Sequence, residues 1–389
     1  METRAVMNSA EVQAYAETRL FGTNIRPHHV HTIELHNGKL PSTLEAHIAG
    51  RFGHPPVRVE QENGREPLYF LEGRLFIPQY SGFGRADRYE TLITAYNRTL
   101  EHRKGFFIRN LEDDPRKTAI AYDNYAYDFV RDLFCGGDLR MHMTTTIIVG
   151  PTAAVAKQAR APETREDEYL DSQFVDADGT TALNIGYIYA DQAGTIFDKM
   201  LREYAALGMK RRGEDGGRTH IRIFMLGRVG GLDSDMARGD LVYPTHIIDQ
   251  VDLLRGTPLV YPMHNTLADD NGKSGLDLNV RNAVSETVEL LEEARGLDCI
   301  CTEMEAREAV ESINRARRRY IDTLLIDFGY VGYVSDRPLV PGDTLARELD
   351  SDEGEQAAVR RILAYMKEER RIREVGMAQH STSRAPEEA

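Results

Sequence analysis

Between residues 144 and 335 the chain alternates short apolar runs, each ending in glycine or a polar turn, with longer segments of helical periodicity. The runs are 144–150, 181–186, 221–227, 241–245, 299–303 and 328–335. Near-continuous apolar runs suit strands covered on both faces, and intervening helices are what parallel crossovers need. The alternation predicts an α/β fold, a mostly parallel mixed central sheet flanked by helices, with its site at the carboxyl ends of the strands. The stretches 160–168, 211–218 and 269–275 are polar, charged or glycine-rich and are expected to be surface loops.

Residues 1–140 read differently, as an additional N-terminal α+β region whose role the residues do not reveal. It has strand-like runs at 57–59 and 75–77, a turn at Asn63-Gly64 and amphipathic helices near 86–103 and 120–134. A chain of 389 residues fits such a two-part division. Residues 141–377 form the second domain. The run 378–389 has no periodic apolar residues and is expected to be a disordered tail.

Charge and cysteine content narrow the function. With 48 Lys and Arg against 62 Asp and Glu, the net charge is −14, and a nucleic-acid polymer would be repelled over most of the surface. The three cysteines, Cys135, Cys299 and Cys301, lack disulfide or metal-knuckle spacing, which suits a reducing cytoplasm. No stretch approaches the roughly eighteen uncharged residues of a membrane helix, and residues 1–15, with Glu2, Arg4 and Glu11, lack the apolar core of a signal peptide, so neither export nor embedding is expected. In the cluster His28, His29, His31 and His36, His29 and His31 could share a strand face as a metal pair would, but no matched Cys, Asp or Glu spacing accompanies them, so a surface or interface cluster is expected.

Two acidic segments stand where strand patterns stop. In Glu303-Met304-Glu305 an extended backbone puts both carboxylates on one side and Met304 on the other. In Val334-Ser335-Asp336-Arg337-Pro338 a strand delivers an aspartate to its end, and Pro338 forbids the ladder to continue. On spacing alone, Glu305 could equally open a solvated helix and Asp336 serve as a cap. A third segment, Met225-Leu226-Gly227-Arg228-Val229-Gly230-Gly231-Leu232, sets glycines directly after a strand, where a ligand can approach the backbone or where a tight turn forms without one.

Further pieces complete an ordered series: Asn124-Tyr125 and Phe129-Val130; Leu183-Asn184-Ile185-Gly186 followed by Ala190, Ala193, Thr195 and Ile196; Gly239-Asp240; and the loop Asn265-Thr266-Leu267-Ala268-Asp269-Asp270-Asn271. Taken in order over roughly 120–345, the series resembles the nucleoside phosphorylase and nucleosidase superfamily, and within it the AMP nucleosidases most closely. The resemblance implies a nucleoside phosphorylase-like catalytic domain at 141–377. It also implies hydrolysis of AMP to adenine and ribose 5-phosphate through an oxocarbenium-like transition state, without metal or cofactor. Partners would be a small-molecule nucleotide or nucleoside and further copies of the chain, hexamers being common among such relatives.

By the same resemblance Asp336 is the general acid at the purine N7 and Glu305 holds the ribose hydroxyls. Met304, Glu303, Gly227, Arg228, Gly230, Ser335, Gly186 and Asp269 line the substrate. An acid at position 336 must stay protonated near neutrality, so Arg337 is expected to point away from it. Phosphorylases of the superfamily carry an arginine two residues before the first glycine of the turn. This chain has Met225 there, which favours water over phosphate as nucleophile. Arg228, Arg85 and Arg88 are candidates for a 5′-phosphate, although Arg85 and Arg88 also fit an exposed helix face. The alternatives are a purine nucleoside phosphorylase, a nucleosidase for non-phosphorylated nucleosides and a catalytically silent nucleotide sensor.

Overall fold

Two sheets organise the described residues. The computed structural model describes residues 5–60, 67–79, 83–100, 105–111, 115–135, 144–165, 172–177, 180–186, 190–215, 218–268, 272–345 and 352–382. The first sheet contains β1 (Thr32–Asn37), β2 (Val57–Arg58), β3 (Tyr69–Leu71), β4 (Arg74–Gln79) and β5 (Phe107–Asn110), in the order β2-β3-β4-β1-β5. β1 lies parallel to β4 and β5, so helices must make the crossovers. Helix Phe83–Thr99 links β4 to β5. Alternation in β1 sends Ile33 and Leu35 into a core with Leu75, Ile77, Ile93 and Tyr96, against which Val284 of the second unit also packs.

The second sheet runs β12-β11-β13-β14-β10-β6-β9-β8-β7, with β15 pairing both β10 and β11. Its strands are β6 (Thr146–Val149), β7 (Arg160–Arg165), β8 (Ser172–Ala177), β9 (Thr180–Asn184), β10 (Thr219–Gly231), β11 (Leu241–Asp249), β12 (Val260–Pro262), β13 (Lys273–Asn279), β14 (Cys299–Glu303) and β15 (Leu324–Asp336). The double pairing of β15 closes β11-β13-β14-β10-β15 into a ring. β10 and β15 are each 13 residues long because each serves both the open sheet and this ring. They run parallel to each other, and a register shift at Val229/Gly230 frees the end of β10 to pair with β14 in the antiparallel sense. The expected α/β architecture is present, with parallel pairs such as β6 with β9 and β10 at its centre and antiparallel pairs such as β7 with β8 and β11 with β12 towards its edges.

Three expected loops are partly regular structure. Residues 160–165 form β7, pairing with β8. Residues 211–215 continue the helix Ala190–Asp215, and β13 already starts at Lys273. Charge and glycine content pointed to loops there, but sheet pairing and helix continuation satisfy the backbone in spite of composition. The C-terminal helix Asp352–Thr382 likewise runs past residue 378, where a tail was expected.

Alternation along β10 separates two cores. Ile221, Ile223, Met225 and Val229 face one side and pack with Ile326, Phe328 and Tyr330 of β15 beneath the helices Ala190–Asp215 and Ala306–Arg319. Phe224 and Leu226 face the other side, with Tyr333 and with Ala358, Val359, Ile362 and Met366 of the C-terminal helix. Helix Pro115–Cys135 sends Tyr125, Ala126, Phe129, Val130 and Phe134 into the first of these cores. By packing it therefore belongs with the second sheet, although residue 140 was the expected boundary. Among the described residues, no helix is long and apolar enough to cross a membrane.

Candidate active site

The acidic segments sit at the ends of two strands that flank β10. Gly230 is in register with Thr302 of β14 on one side and with Asp336 of β15 on the other. Neighbouring strands stand about 4.8 Å apart, so the two backbones approach to roughly 10 Å here. The closeness is made by the glycine: a Cβ on Gly230 would lie 2.8 Å from Thr302 Cγ2 and 3.1 Å from Pro338 Cδ. Just beyond, Met304 and Leu339 pack on the same apolar cluster. Gly230→Ala should therefore cost about 1–3 kcal/mol by overpacking, read as a lowered melting temperature; an unchanged melting temperature would contradict this account of the junction.

Glu303 and Glu305 do not share a side. β14 stops at Glu303, and the backbone leaves the extended region at Glu305 (φ −122°, ψ −28°), which opens the helix Ala306–Arg319. Glu303 turns inward and is 3% exposed. The amides of Glu305 and Ala306 donate to its Oε2 at 2.5 and 2.6 Å, and Asn279 Nδ2 donates to its Oε1 at 2.7 Å. Three donors thus engage it at the start of the helix, whereas the resemblance placed it along the substrate. Burial, followed by the charge of Glu305, pushes its carboxyl up to about 7 against those three donors. Asp277, wholly buried on the neighbouring strand, is raised well above the usual carboxylate range by burial and then by Glu303.

Glu305 is the outward member, its side chain 34% exposed. Arg88, on helix Phe83–Thr99 of the N-terminal unit, reaches it across the molecule. Arg88 Nη2 lies 3.7 Å from Glu305 Oε1 and donates to Met304 Sδ at 3.3 Å. That helix is held by contacts with helix Ala190–Asp215 and with the short turn Ala283–Ser285.

Asp336 is 3% exposed. Burial pushes it up to about 7; Ser335 Oγ, donating to Asp336 Oδ1 at 2.8 Å, and Arg238 oppose the rise, while Asp343 adds to it. Arg337 turns away as expected: its Nε donates to Asp343 Oδ2 at 2.6 Å, and Arg238 pairs with the same carboxylate. Two arginines on Asp343 leave the neighbouring acid free of a direct ion pair. Glu286, nearly buried, is raised well above its ordinary value by burial and then by Asp336.

The glycine segment, expected as a turn after the strand, instead continues β10 to Gly231 and is only partly drawn into the same place. A Cβ on Gly227 would come within 2.7 Å of Tyr330 Oη, so Tyr330 lies over that glycine on the core side that also holds Cys301 and Val334. Arg228 points to the opposite face, where its Nε donates to Tyr333 Oη at 2.8 Å near Glu355. Strand alternation alone forces this divergence. Gly186 lies at the end of β9, two strands beyond β10, with its amide donating to Asn184 Oδ1 at 3.1 Å and its carbonyl accepting from Gly150 at 2.8 Å. Asp269 and its neighbours to Asn271 lie outside the described residues, as does the side chain of Arg85.

Asn279, Asp277 and Glu286 escaped the sequence reading. For the first two a signal existed, since Leu276-Asp277-Leu278-Asn279 alternates strictly and places both polar residues on one face.

Among the described residues His220, Asp327 and Glu369 bring donor atoms within 4.8 Å of one another, a metal-like grouping. It lies at the amino ends of β10 and β15, far from the acids. His220 Nε2 already stands 2.6 Å from Asp327, and Arg222 2.8 Å from Glu369, so a cation there would compete with existing ion pairs. His29 sits in the 3-10 turn Pro27–His29 with its ring against His28, not on a strand beside His31.

No family model and no curated protein matches the chain. Solved structures do. The 5′-methylthioadenosine/S-adenosyl homocysteine nucleosidase of Campylobacter jejuni is 10% identical, over 58% of this chain and 99% of that one, at a TM-score of 0.40. The 5′-methylthioadenosine/S-adenosylhomocysteine nucleosidase of Neisseria meningitidis, in complex with methylthio-immucillin-A, is 12% identical over 58% and 99%, also at 0.40. The purine nucleoside phosphorylase of Toxoplasma gondii, in complex with immucillin-H, is 18% identical over 56% and 88%, at 0.39.

Proposed function

We propose that the protein hydrolyses the N-glycosidic bond of a purine nucleoside 5′-monophosphate, AMP foremost, giving adenine and ribose 5-phosphate. One observation carries the reading: a buried acid poised near neutrality, Asp336, and an outward carboxylate, Glu305, are delivered by strands on either side of Gly230. Cleavage leaves positive charge on the sugar and negative charge on the departing base, and these two groups answer the two needs separately. Asp336, kept partly protonated at neutral pH by its burial, gives its proton to N7 as the C1′–N9 bond breaks. Glu305 accepts hydrogen bonds from the ribose hydroxyls and steadies the cationic sugar. Water adds at C1′ and its proton returns to the Asp336 carboxylate.

Water is favoured as nucleophile because Met225 is buried in the core, where it can hold no phosphate, and Arg228 is turned to the other face. The test is incubation with AMP and adenosine, each with and without orthophosphate, followed by chromatography. Adenine and ribose 5-phosphate should form from AMP without added phosphate. Dependence on orthophosphate would make the enzyme a phosphorylase, and absence of any released base would remove the glycosidase reading.

A further inference from the structure

We infer that Arg88, supplied by the N-terminal unit, completes the site as the residue that reads a phosphate dianion beside the ribose. The inference rests on the nucleosidase reading of that site and specifies how it selects its substrate.

The Arg88 side chain is 20% exposed, so most of its length is covered by neighbouring groups. A guanidinium offers five N–H donors in a planar fork and needs acceptors when desolvated. Among the described residues its contacts are poor ones. The sulfur of Met304, at 3.3 Å, is a weak acceptor, and Glu305 Oε1, at 3.7 Å, is beyond hydrogen-bonding range. Arg88 thus brings a cation with donors to spare to the side chain proposed to grip the sugar.

Other arginines near the acids are already engaged. Arg337 and Arg238 hold Asp343, Arg307 holds Asp249 and Glu311, and Arg228 faces Tyr333 on the far side of the sheet. A doubly charged phosphate next to Glu305 would be repelled by that carboxylate unless a cation stood between them, and Arg88 stands there. The fork geometry suits two phosphate oxygens at once. The phosphate is either the 5′-ester of a nucleotide or free orthophosphate, the same chemistry from two sources.

The experiment compares wild type, Arg88→Ala and Arg88→Lys for turnover of AMP and adenosine with and without orthophosphate, and for equilibrium binding of AMP, adenosine and orthophosphate by calorimetry. Arg88→Ala should lower kcat/KM for AMP ~10²-fold more than for adenosine, chiefly through KM, the scale of a lost bidentate charged contact. Arg88→Lys should recover part of the loss, since it keeps the charge and loses the fork. Selective loss of orthophosphate binding and of orthophosphate-dependent turnover would assign Arg88 to the free anion. Equal losses on AMP and adenosine with unchanged phosphate binding, or no loss at all, would overturn the inference. If wild type releases no base yet binds AMP more tightly than adenosine through Arg88, the glycosidase reading falls and the phosphate role stands.

Discussion

Asp336→Asn should lower base release from AMP ~10²–10⁴-fold at pH 7, the range that a positioned general acid supplies, while AMP binding stays within about tenfold. Asparagine keeps the shape and can still accept from Ser335, but it has no proton to give N7. The acid is set up by burial, and the arrangement that keeps it protonated is the diversion of Arg337 and Arg238 onto Asp343. Wild-type kcat/KM should fall about tenfold per pH unit above 7, and residual activity of the variant should lack that limb.

A stability effect accompanies the loss. The Asp336 carboxyl titrates at about 7 in the fold, above its ordinary 3.8. Its stabilising contribution is therefore complete below about pH 4 and is lost as the pH rises through 7, where the fold must hold a buried charge. At 1.36 kcal/mol per pH unit the difference amounts to about 4 kcal/mol at most. An asparagine side chain does not ionise, so the variant should gain in melting temperature on wild type between pH 5 and pH 8. Wild-type turnover in Asp336→Asn, or a melting-temperature difference that ignores pH, would exclude Asp336 as a buried general acid.

The two glutamates of the other segment should fail in opposite ways. Glu305→Gln should reduce kcat/KM for AMP ~10²–10³-fold, because charge-assisted hydrogen bonds to a sugar are worth about 1.5–3 kcal/mol each. Its effect on stability should stay within about 0.5 kcal/mol, as for a half-exposed side chain without close ties. Glu303→Ala should destabilise the fold by about 2–4 kcal/mol, since it strands two helix amides and the Asn279 side chain in a dry interior. Denaturant unfolding and steady-state kinetics on both variants separate the roles. A stable, fully active Glu303→Ala protein would show that the cap is dispensable, and an active Glu305→Gln protein would remove the ribose contact from the mechanism.

Near-neighbour periodicity carried the legible part of the fold. The run 299–303 coincides with β14, and 221–227 and 328–335 lie inside β10 and β15. Both strands proved longer than their apolar runs because a second set of strands takes up their ends. Residues 160–165 and 211–215 were misread for a related reason: polar composition says that a segment can meet water, not that its backbone lacks a ladder or a helix to join. At the site, the order of acidic segments and glycines along the chain suggested the chemistry and named Asp336 and Glu305. It also paired Glu303 with Glu305 on an extended backbone, and a turn at the helix start separates them.

The alternation of strands with helices and the positions of the two acids were thus written into the chain itself, because they follow from periodicity and from which residues end a strand. Everything that depends on contact between distant segments was decided by the fold. Gly230 brings Thr302 and Pro338 together, Asp343 draws the arginines from Asp336, Arg228 turns to the opposite face, and Arg88 arrives from 216 positions away at Met304. The physical reason is that burial and charge act through space: a carboxyl's proton affinity is set by the groups packed against it, whatever their distance along the backbone.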